Sequence, residues 1–328
     1  MDRDRSGRRR TRPLRRRPFV YAAVASVVLV GGTAAGTVYV KAQAHTGPDL
    51  VSSASAASAS PSADEEAPVE PVTAPAPEVS PDALLAEAMT SVSVQDGAAV
   101  SVSVLDVDSG ESAAYGEGAF DTASIVKVDI LATLLLQAQD AGRELTAAEK
   151  AHATLMIENS DNTAASTLWD AIGQADGLDT ANKTFGLTST TGGDGALWGL
   201  TQTTSADQLT LLRQVLGDDS KLDETSRTYV RGLMGEIAVD QHWGVSAAAD
   251  GSEWALKNGW LARSTTGLWD INSIGRVTAD GHDYLVAVLS NGSTTKAKGI
   301  SLVEATAKAA VAALQGASSG TASASASD

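Results

Sequence analysis

The chain of 328 residues is long enough for one large domain of about 200 to 250 residues with further segments at its ends. Because it contains no cysteine, disulfides, thiol nucleophiles and cysteine-ligated zinc are excluded. Nine of its 24 Lys and Arg lie between Arg3 and Arg17, and the sequence after them holds 15 basic and 38 acidic residues, a net charge of −23 that argues against a nucleic-acid partner.

The amino terminus has the composition of an export signal. A basic segment, residues 1–18, precedes an uncharged segment, residues 19–40, which is long enough to cross a bilayer of about 30 Å. The positive-inside rule then places residue 1 in the cytoplasm and the main domain at the extracellular face of the membrane or in the cell envelope. Residues 19–40 are either an uncleaved membrane anchor or a signal peptide cleaved near Ala42-Gln43-Ala44. Export by the Sec or by the twin-arginine route stays open, because Arg16-Arg17 resembles a twin-arginine signal.

Two further segments lack any periodic apolar pattern. Residues 41–80 are rich in Ala, Ser and Pro, and residues 317–328 are rich in Ala and Ser. Such compositions bury too little surface to offset the entropy lost on ordering, so they predict an extended linker and a disordered tail. The folded domain is therefore expected between residues 81 and 316.

The start of this domain predicts a helix and a hairpin. Ser80-Pro81-Asp82 supplies an N-cap, a proline at the first helical position and an early acid, which together predict a helix through Met89. Alternating valines from Val100 to Val104 begin a strand, and the turn at Asp108-Ser109-Gly110 leads to a second strand ending near Tyr115.

The end of the domain repeats this pattern in reverse order. Residues 271–277 and 284–290 flank a turn at Ala279-Asp280-Gly281, and a helix is predicted over residues 297–314. Residues 124–240, between the two hairpins, are largely helical in pattern. The sequence therefore predicts an α+β fold, in which N- and C-terminal helices flank one antiparallel sheet and a helical subdomain is inserted.

A first candidate for chemistry lies at the start of the helical region. Lys127 follows Ser124 by three residues, which puts both side chains on one face of a helix that is apolar around most of its circumference. Burial and the positive helix end disfavour the ammonium form, so Lys127 is suited to act as a base toward Ser124. In the alternative interpretation, Ser124 is an N-cap and Lys127 extends toward solvent.

Two more motifs follow in the chain. Ser160-Asp161-Asn162 lies between an apolar stretch and the next helix, where a turn can present polar groups to a cleft. Lys257-Asn258-Gly259, followed by Trp260, lies in a stretch typical of a strand, and Gly259 would let a substrate approach the backbone.

In this order, the three elements resemble the signature motifs of the class A β-lactamases and the related penicillin-binding DD-peptidases. The resemblance covers roughly residues 85–315 and implies the fold predicted above. It also implies roles for the motif residues, which are acylation for Ser124, proton abstraction for Lys127, proton transfer to the leaving nitrogen for Ser160, and substrate binding for Asn162, Lys257, Asn258, Gly259 and Trp260. The backbone N–H groups of Ser124 and Trp260 would form the oxyanion hole. The implied substrate is a β-lactam or a peptidoglycan peptide, and no cofactor or metal is implied.

The sequence departs from this family in two places. Asn258 stands where the family has Thr or Ser, which removes a hydroxyl from carboxylate recognition. The loop from Gly186 to Gln202 contains no Glu that could activate a deacylating water, and its one acid, Asp194, fits a turn. We therefore expect a serine acyl-enzyme that deacylates poorly, and keep as the alternative a catalytically degenerate cell-wall-binding receptor of the same fold.

Other patterns carry less weight. The histidines show no paired spacing, so no metal site is expected from the sequence. Most of the tryptophans from Trp198 to Trp269 are expected to pack in the core, although some could form a substrate platform. No feature of the sequence predicts an oligomeric state.

Overall fold

The computed structural model describes residues 79–251 and 253–325, with side chains as far as Ala317. The predicted basic segment 1–18, the export segment 19–40 and nearly all of the linker 41–80 lie outside the described residues. None of the helices in the described part of the chain combines the length and the apolar character needed to cross a bilayer. The description below concerns the unit that begins at Thr73.

One five-stranded antiparallel sheet organises the domain, and its strands lie in the order β2-β1-β7-β6-β5. Both predicted hairpins are present, and the turn at Asp280-Gly281 has two positive φ values of 51° and 79°, as a tight two-residue hairpin turn requires. A separate two-stranded ladder, β3–β4, lies beside the sheet. The strands are β1 (Ala99–Asp106), β2 (Ser112–Tyr115), β3 (Phe120–Asp121), β4 (Gln202–Thr203), β5 (Trp254–Ala262), β6 (Trp269–Ala279) and β7 (His282–Ser293).

The terminal helices, α1 (Pro81–Met89) and α8 (Lys296–Ser325), pack together and share one hydrophobic core with the sheet. The predicted start of α1 is confirmed, because the Ala83 N–H donates to the Ser80 hydroxyl at 3.3 Å. Helix α8 ends later than predicted and is helical through Ser325, inside the segment expected to be disordered. This stretch is rich in Ala, the strongest helix former, and contains no proline to end the helix.

The inserted helical subdomain forms the second core, against residues of the sheet such as Ile274 and Ala287. The α+β architecture predicted from the sequence is therefore confirmed. Its helices are α2 (Val126–Asp140), α3 (Ala147–Glu158), α4 (Asn162–Ala171), α5 (Gln174–Phe185), α6 (Ser205–Leu216) and α7 (Glu224–Gly235).

Helix α2 is the central helix of this subdomain. Twelve of its fifteen residues are buried, including two charged ones, Lys127 and Asp129. Burying each of its Leu or Ile side chains stabilises the fold by about 1.5 to 3 kcal/mol, enough for the helix to carry buried polar groups. The two charged side chains are thereby held in a water-poor interior, which shifts their protonation equilibria.

Candidate active site

Ser124 lies in a single 3-10 turn, Ala123–Ile125, that leads directly into α2. Ala123 has a φ of +48°, a conformation that L-residues rarely adopt and that often marks functional turns. The N-terminal ends of both the turn and α2 lack a side-chain cap, so the Ser124 hydroxyl is not an N-cap. Ser124 is one of the residues lining a cavity of about 660 Å3.

Lys127 is fully buried and donates three hydrogen bonds. Its Nζ lies 2.7 Å from the Ser160 carbonyl oxygen, 3.0 Å from Ser160 Oγ and 2.8 Å from Asn162 Oδ1. Burial lowers the pKa of this ammonium from 10.5 to about 7, against the opposing effect of the Asp161 carboxylate. Across residues 79–251 and 253–325, no hydrogen bond joins Ser124 Oγ to Lys127 Nζ, so the lysine must turn to reach the serine.

The turn from Ser160 to Asn162 places two polar side chains beside Lys127. Ser160 has a φ of +54°, which reverses the chain between α3 and α4. Asp161 caps α4, since its carboxylate accepts the Ala164 N–H at 2.7 Å. Within this motif, Asp161 caps helix α4, whereas Ser160 and Asn162 contact Lys127.

Lys257 is also fully buried, on strand β5. Its Nζ donates to Ser160 Oγ at 3.1 Å, to the Asn258 carbonyl oxygen at 3.0 Å and to Gln241 Oε1 at 3.4 Å. Burial, together with the nearby Lys127 charge, holds the pKa of Lys257 well below its usual value. Ser160 Oγ thus lies between two buried amines. Lys257 is not among the residues lining the cavity. Its contact with a substrate carboxylate stays a prediction.

Asn258 departs most clearly from its expected role in substrate binding. Its side chain is fully buried, and its Nδ2 donates to the carbonyl oxygens of Gln241 and Trp243 at 2.8 and 2.9 Å. Successive side chains on a strand point to opposite faces, so Asn258 cannot face the same side as Lys257. Asn258 therefore anchors the segment before β5 instead of facing the cavity.

Gly259 allows strand β5 to lie against the turn that carries Ser124. A Cβ atom there would lie 2.9 Å from the Ser124 backbone nitrogen and 2.7 Å from the Thr122 carbonyl oxygen, closer than real Cβ atoms approach. Trp260, the next residue, lines the cavity. Lys296 Nζ lies 4.0 Å from the centre of a Trp260 ring, a cation–π contact that supports the indole from α8.

The remaining cavity wall is largely apolar. Leu197 and Trp198 come from the loop before β4, and Trp198 also lies over Lys127, with its ring centre 5.0 Å from Nζ. The one charged residue of the lining is Arg263, which forms ion pairs with Asp121 and Asp270. Motif spacing could not identify this wall, because its residues carry no chemistry of their own and gather only through folding.

Asp194 lies in the same loop as Leu197 but is exposed and does not line the cavity. Its carbonyl oxygen accepts the Leu197 N–H at 3.0 Å, which is the arrangement of a turn residue. No Asp or Glu is among the lining residues of this cavity in the described part of the chain.

Comparison with known proteins bears on the family and the fold of the chain. A family model described as the beta-lactamase enzyme family matches residues 136–314, a range that includes the second and third motifs and begins after the first. No curated protein matches the chain.

Solved structures of low sequence identity share the fold. The chain is similar to the structure of PBP-A, with a TM-score of 0.61, 20% identity, and coverage of 73% of this chain and 98% of that one. A PBP-A mutant described as an acyl-enzyme complex with penicillin G gives a TM-score of 0.60, 21% identity and coverage of 73% and 99%. A representative class A beta-lactamase from Bacteroides cellulosilyticus DSM 14838 gives 0.60, 16% identity and coverage of 72% and 99%.

Proposed function

Because the chain belongs to the beta-lactamase enzyme family, we propose that it acts as an exported serine acyl-enzyme on a β-lactam or a cell-wall peptide amide. Membership of this family makes it a serine hydrolase. In our proposal Ser124 is the nucleophile, Lys127 is its base, and the acyl group leaves slowly.

One observation carries this proposal: side chains from all three motifs lie together around the hydroxyl of Ser160. Ser160 Oγ lies within hydrogen-bond distance of both Lys127 Nζ and Lys257 Nζ, and Ser124 lines the nearby cavity together with Asn162. A buried lysine with a pKa of about 7 is neutral in about half of the molecules near neutral pH, as a base requires. Among the described residues, no other serine shares these neighbours.

The proposed acylation step uses these groups in sequence. Neutral Lys127 releases Asn162 Oδ1 and accepts the Ser124 proton, and Ser124 Oγ bonds to the substrate carbonyl carbon. The negative charge that develops on the carbonyl oxygen is stabilised by the backbone N–H groups of Ser124 and Trp260. When the amide C–N bond breaks, the Lys127 proton passes through Ser160 Oγ to the leaving nitrogen, leaving an ester on Ser124.

Slow deacylation follows from the composition of the cavity wall. A water needs a base to attack the ester, and the wall contains Arg263 but no carboxylate. Lys127 is the remaining base near the ester, and it must serve both the serine in acylation and the water in deacylation. Long-lived adducts with β-lactams are therefore expected.

The receptor alternative is favoured by one observation, the missing hydrogen bond between Ser124 Oγ and Lys127 Nζ among the described residues. In a receptor, the lysine would stay bound to Ser160 and Asn162, and the cavity would hold its ligand without reaction. Reactivity of Ser124 toward an acylating probe separates the two functions.

Export and attachment to the membrane are also part of the proposal, and the sequence alone supports them. The basic segment 1–18 and the uncharged segment 19–40 carry this inference. It places the hydrolase domain at the outer face of the membrane or in the cell envelope, where cell-wall peptides are found.

The test is the intact mass of the full chain after exposure to a fluorescent penicillin and to a fluorophosphonate. We expect one covalent adduct at Ser124, abolished in Ser124→Ala and slowed at least 100-fold in Lys127→Ala. Ser93→Ala, which removes an exposed serine elsewhere, is the matched control and should react like the unmodified protein. The lifetime of the adduct measures deacylation, and the absence of an adduct with either probe would favour the receptor.

A further inference from the structure

A second cluster of ionisable side chains lies away from Ser124, where the two hairpins of the sheet meet. Asp106 ends β1, Asp108 follows in the turn to β2, and His282 begins β7. Three strand spacings of about 4.8 Å separate β1 from β5, so the cluster is roughly 14 Å or more from Lys257. It therefore has no contact with the proposed chemistry.

Asp106 is the unusual member of this cluster because its carboxylate is completely buried. One oxygen, Oδ1, accepts the N–H groups of Asp108 and Ser109 at 2.9 and 3.2 Å. The other, Oδ2, has no hydrogen-bond partner. A buried carboxylate oxygen without a donor is costly, so it calls for a positive group.

The geometry at this oxygen suits a metal ion. Asp106 Oδ2 lies 3.3 Å from His282 Nδ1, which lies 3.7 Å from Asp108 Oδ2, and the three atoms lie within 4.8 Å of one another. Two ligands bound at about 2.0 to 2.1 Å to a tetrahedral zinc ion lie about 3.3 Å apart. The two separations from His282 Nδ1, 3.3 and 3.7 Å, are therefore close to the edge of such a tetrahedron.

The surrounding charge also favours a cation. In the described part of the chain, no Lys or Arg forms an ion pair with Asp106 or Asp108. The cluster offers two carboxyl groups and one imidazole, a ligand set whose charge suits a divalent ion.

The backbone holds the ligands in place before any ion binds. The Val107 N–H donates to the Asp283 carbonyl oxygen at 2.8 Å, and the Asp283 N–H donates to Asp108 Oδ2 at 3.3 Å. The side chains of Asp108 and His282 are 58% and 47% exposed, which leaves a solvent path and room for a water as fourth ligand.

We propose that Asp106, Asp108 and His282 form a structural site for a divalent transition metal of the zinc type, which ties the β1–β2 turn to the start of β7. Imidazole nitrogen in the ligand set favours zinc over calcium or magnesium, which prefer oxygen ligands alone. The ion stabilises the sheet and takes no part in acylation.

The test uses the full chain, stripped of metal by a chelator and titrated with Zn2+ by calorimetry, with Co2+ as a spectroscopic probe. We expect one equivalent to bind, a rise in Tm, and the intense visible absorption of tetrahedral Co2+. Asp108→Asn and His282→Gln should each weaken binding at least 10-fold, since each removes a ligand. The exposed Asp96→Asn and the distant His152→Gln are the matched controls and should bind like the unmodified protein.

Three outcomes would overturn the site. The first is no binding at micromolar Zn2+, and the second is equal binding in the ligand variants and the controls. The third is a lower Tm in His282→Gln, with Zn2+ raising the Tm of neither this variant nor the unmodified protein. The last result would assign His282 to an ion pair with the two aspartates. Acylation of Ser124 by the penicillin probe should be the same with and without Zn2+.

Discussion

At the scale of single residues, Lys127 is held between two protonation states by opposing effects. Three acceptors stabilise its ammonium form, the Ser160 carbonyl oxygen, Ser160 Oγ and Asn162 Oδ1, while burial destabilises that form. Burial has the larger effect, and the pKa falls to about 7. A small change in pH near neutrality therefore changes how much of the proposed base is available.

The rate of acylation should follow this titration. Because the neutral amine is the active form, the rate constant for acylation by a penicillin should rise about tenfold from pH 6 to pH 8, with a midpoint near 7. Stopped-flow fluorescence with a fluorescent penicillin measures it.

Asp161→Asn tests the electrostatic origin of that midpoint. The variant keeps a good N-cap for α4 but removes the carboxylate that raises the Lys127 pKa, so the midpoint should move to lower pH. Asp194→Asn, an exposed acid of the nearby loop, is the control and should leave it unchanged. A pH-independent rate, or a midpoint that moves upward in Asp161→Asn, would contradict the assignment of Lys127 as base.

At the scale of elements, helix α2 carries two buried charged side chains, the proposed base and an acid whose burial costs stability. Its first turn carries Lys127 and, two residues later, Asp129, and both side chains are buried. Burial raises the pKa of Asp129 to about 7, helped by Asp179 and Asp207, and the one hydrogen bond from Asn182 Nδ2 at 3.1 Å only partly offsets this. Asp129 Oδ1 has no partner.

This buried acid should make stability depend on pH. The pKa of Asp129 is higher in the folded chain than in the unfolded one. Its contribution to the free energy of unfolding is therefore fully present below about pH 4 and is lost as the pH rises through 7. Asp129→Asn removes the ionisation, and its gain in free energy of unfolding over the unmodified protein should be about 2 kcal/mol larger at pH 8 than at pH 5.

Denaturant unfolding at the two pH values measures this difference. Asp140→Asn changes an exposed acid at the end of the same helix and is the matched control, with a small effect that is the same at both pH values. An Asp129→Asn effect independent of pH would show that the carboxylate is already ionised at pH 5.

At the scale of the whole molecule, the strong negative charge bears on substrate encounter. The chain after residue 17 carries a net charge of −23, while the cavity itself contains one charged lining residue, the cation Arg263. A penicillin with a free carboxylate is therefore repelled at long range, and the cation at the cavity, Arg263, is itself paired with Asp121 and Asp270. Salt screens the long-range part first.

We expect the second-order rate constant for acylation by an anionic penicillin to rise about two- to threefold from 20 to 500 mM NaCl. Intact-mass kinetics with the full chain measures it. An uncharged fluorophosphonate serves as the control probe and should show no such rise. A rate that falls with salt would mean that attraction by Arg263 dominates the encounter.

The fold and the three motifs were predictable because they depend on short stretches of sequence. Strand alternation, a proline at N1 and a tight hairpin turn each involve neighbouring residues, and the resemblance linked Ser124, Ser160 and Lys257 before any distance was known. The burial of Lys127 followed from the apolar helix around it. These features are set by local pattern and by which face of an element is apolar.

The sequence alone determined the terminal helices, the two hairpins, the helical character of the region between them and the three motifs, whereas the tertiary structure decided what each side chain faces. The Asn258 side chain faces the segment before β5, because neighbouring residues of a strand face opposite sides. The Lys257 side chain is buried, and its Nζ contacts Ser160 Oγ. The tertiary structure also brought Asp106 and His282 together across a β1–β7 pairing that no spacing reveals. Such contacts depend on register and packing between distant segments, which only the folded chain fixes.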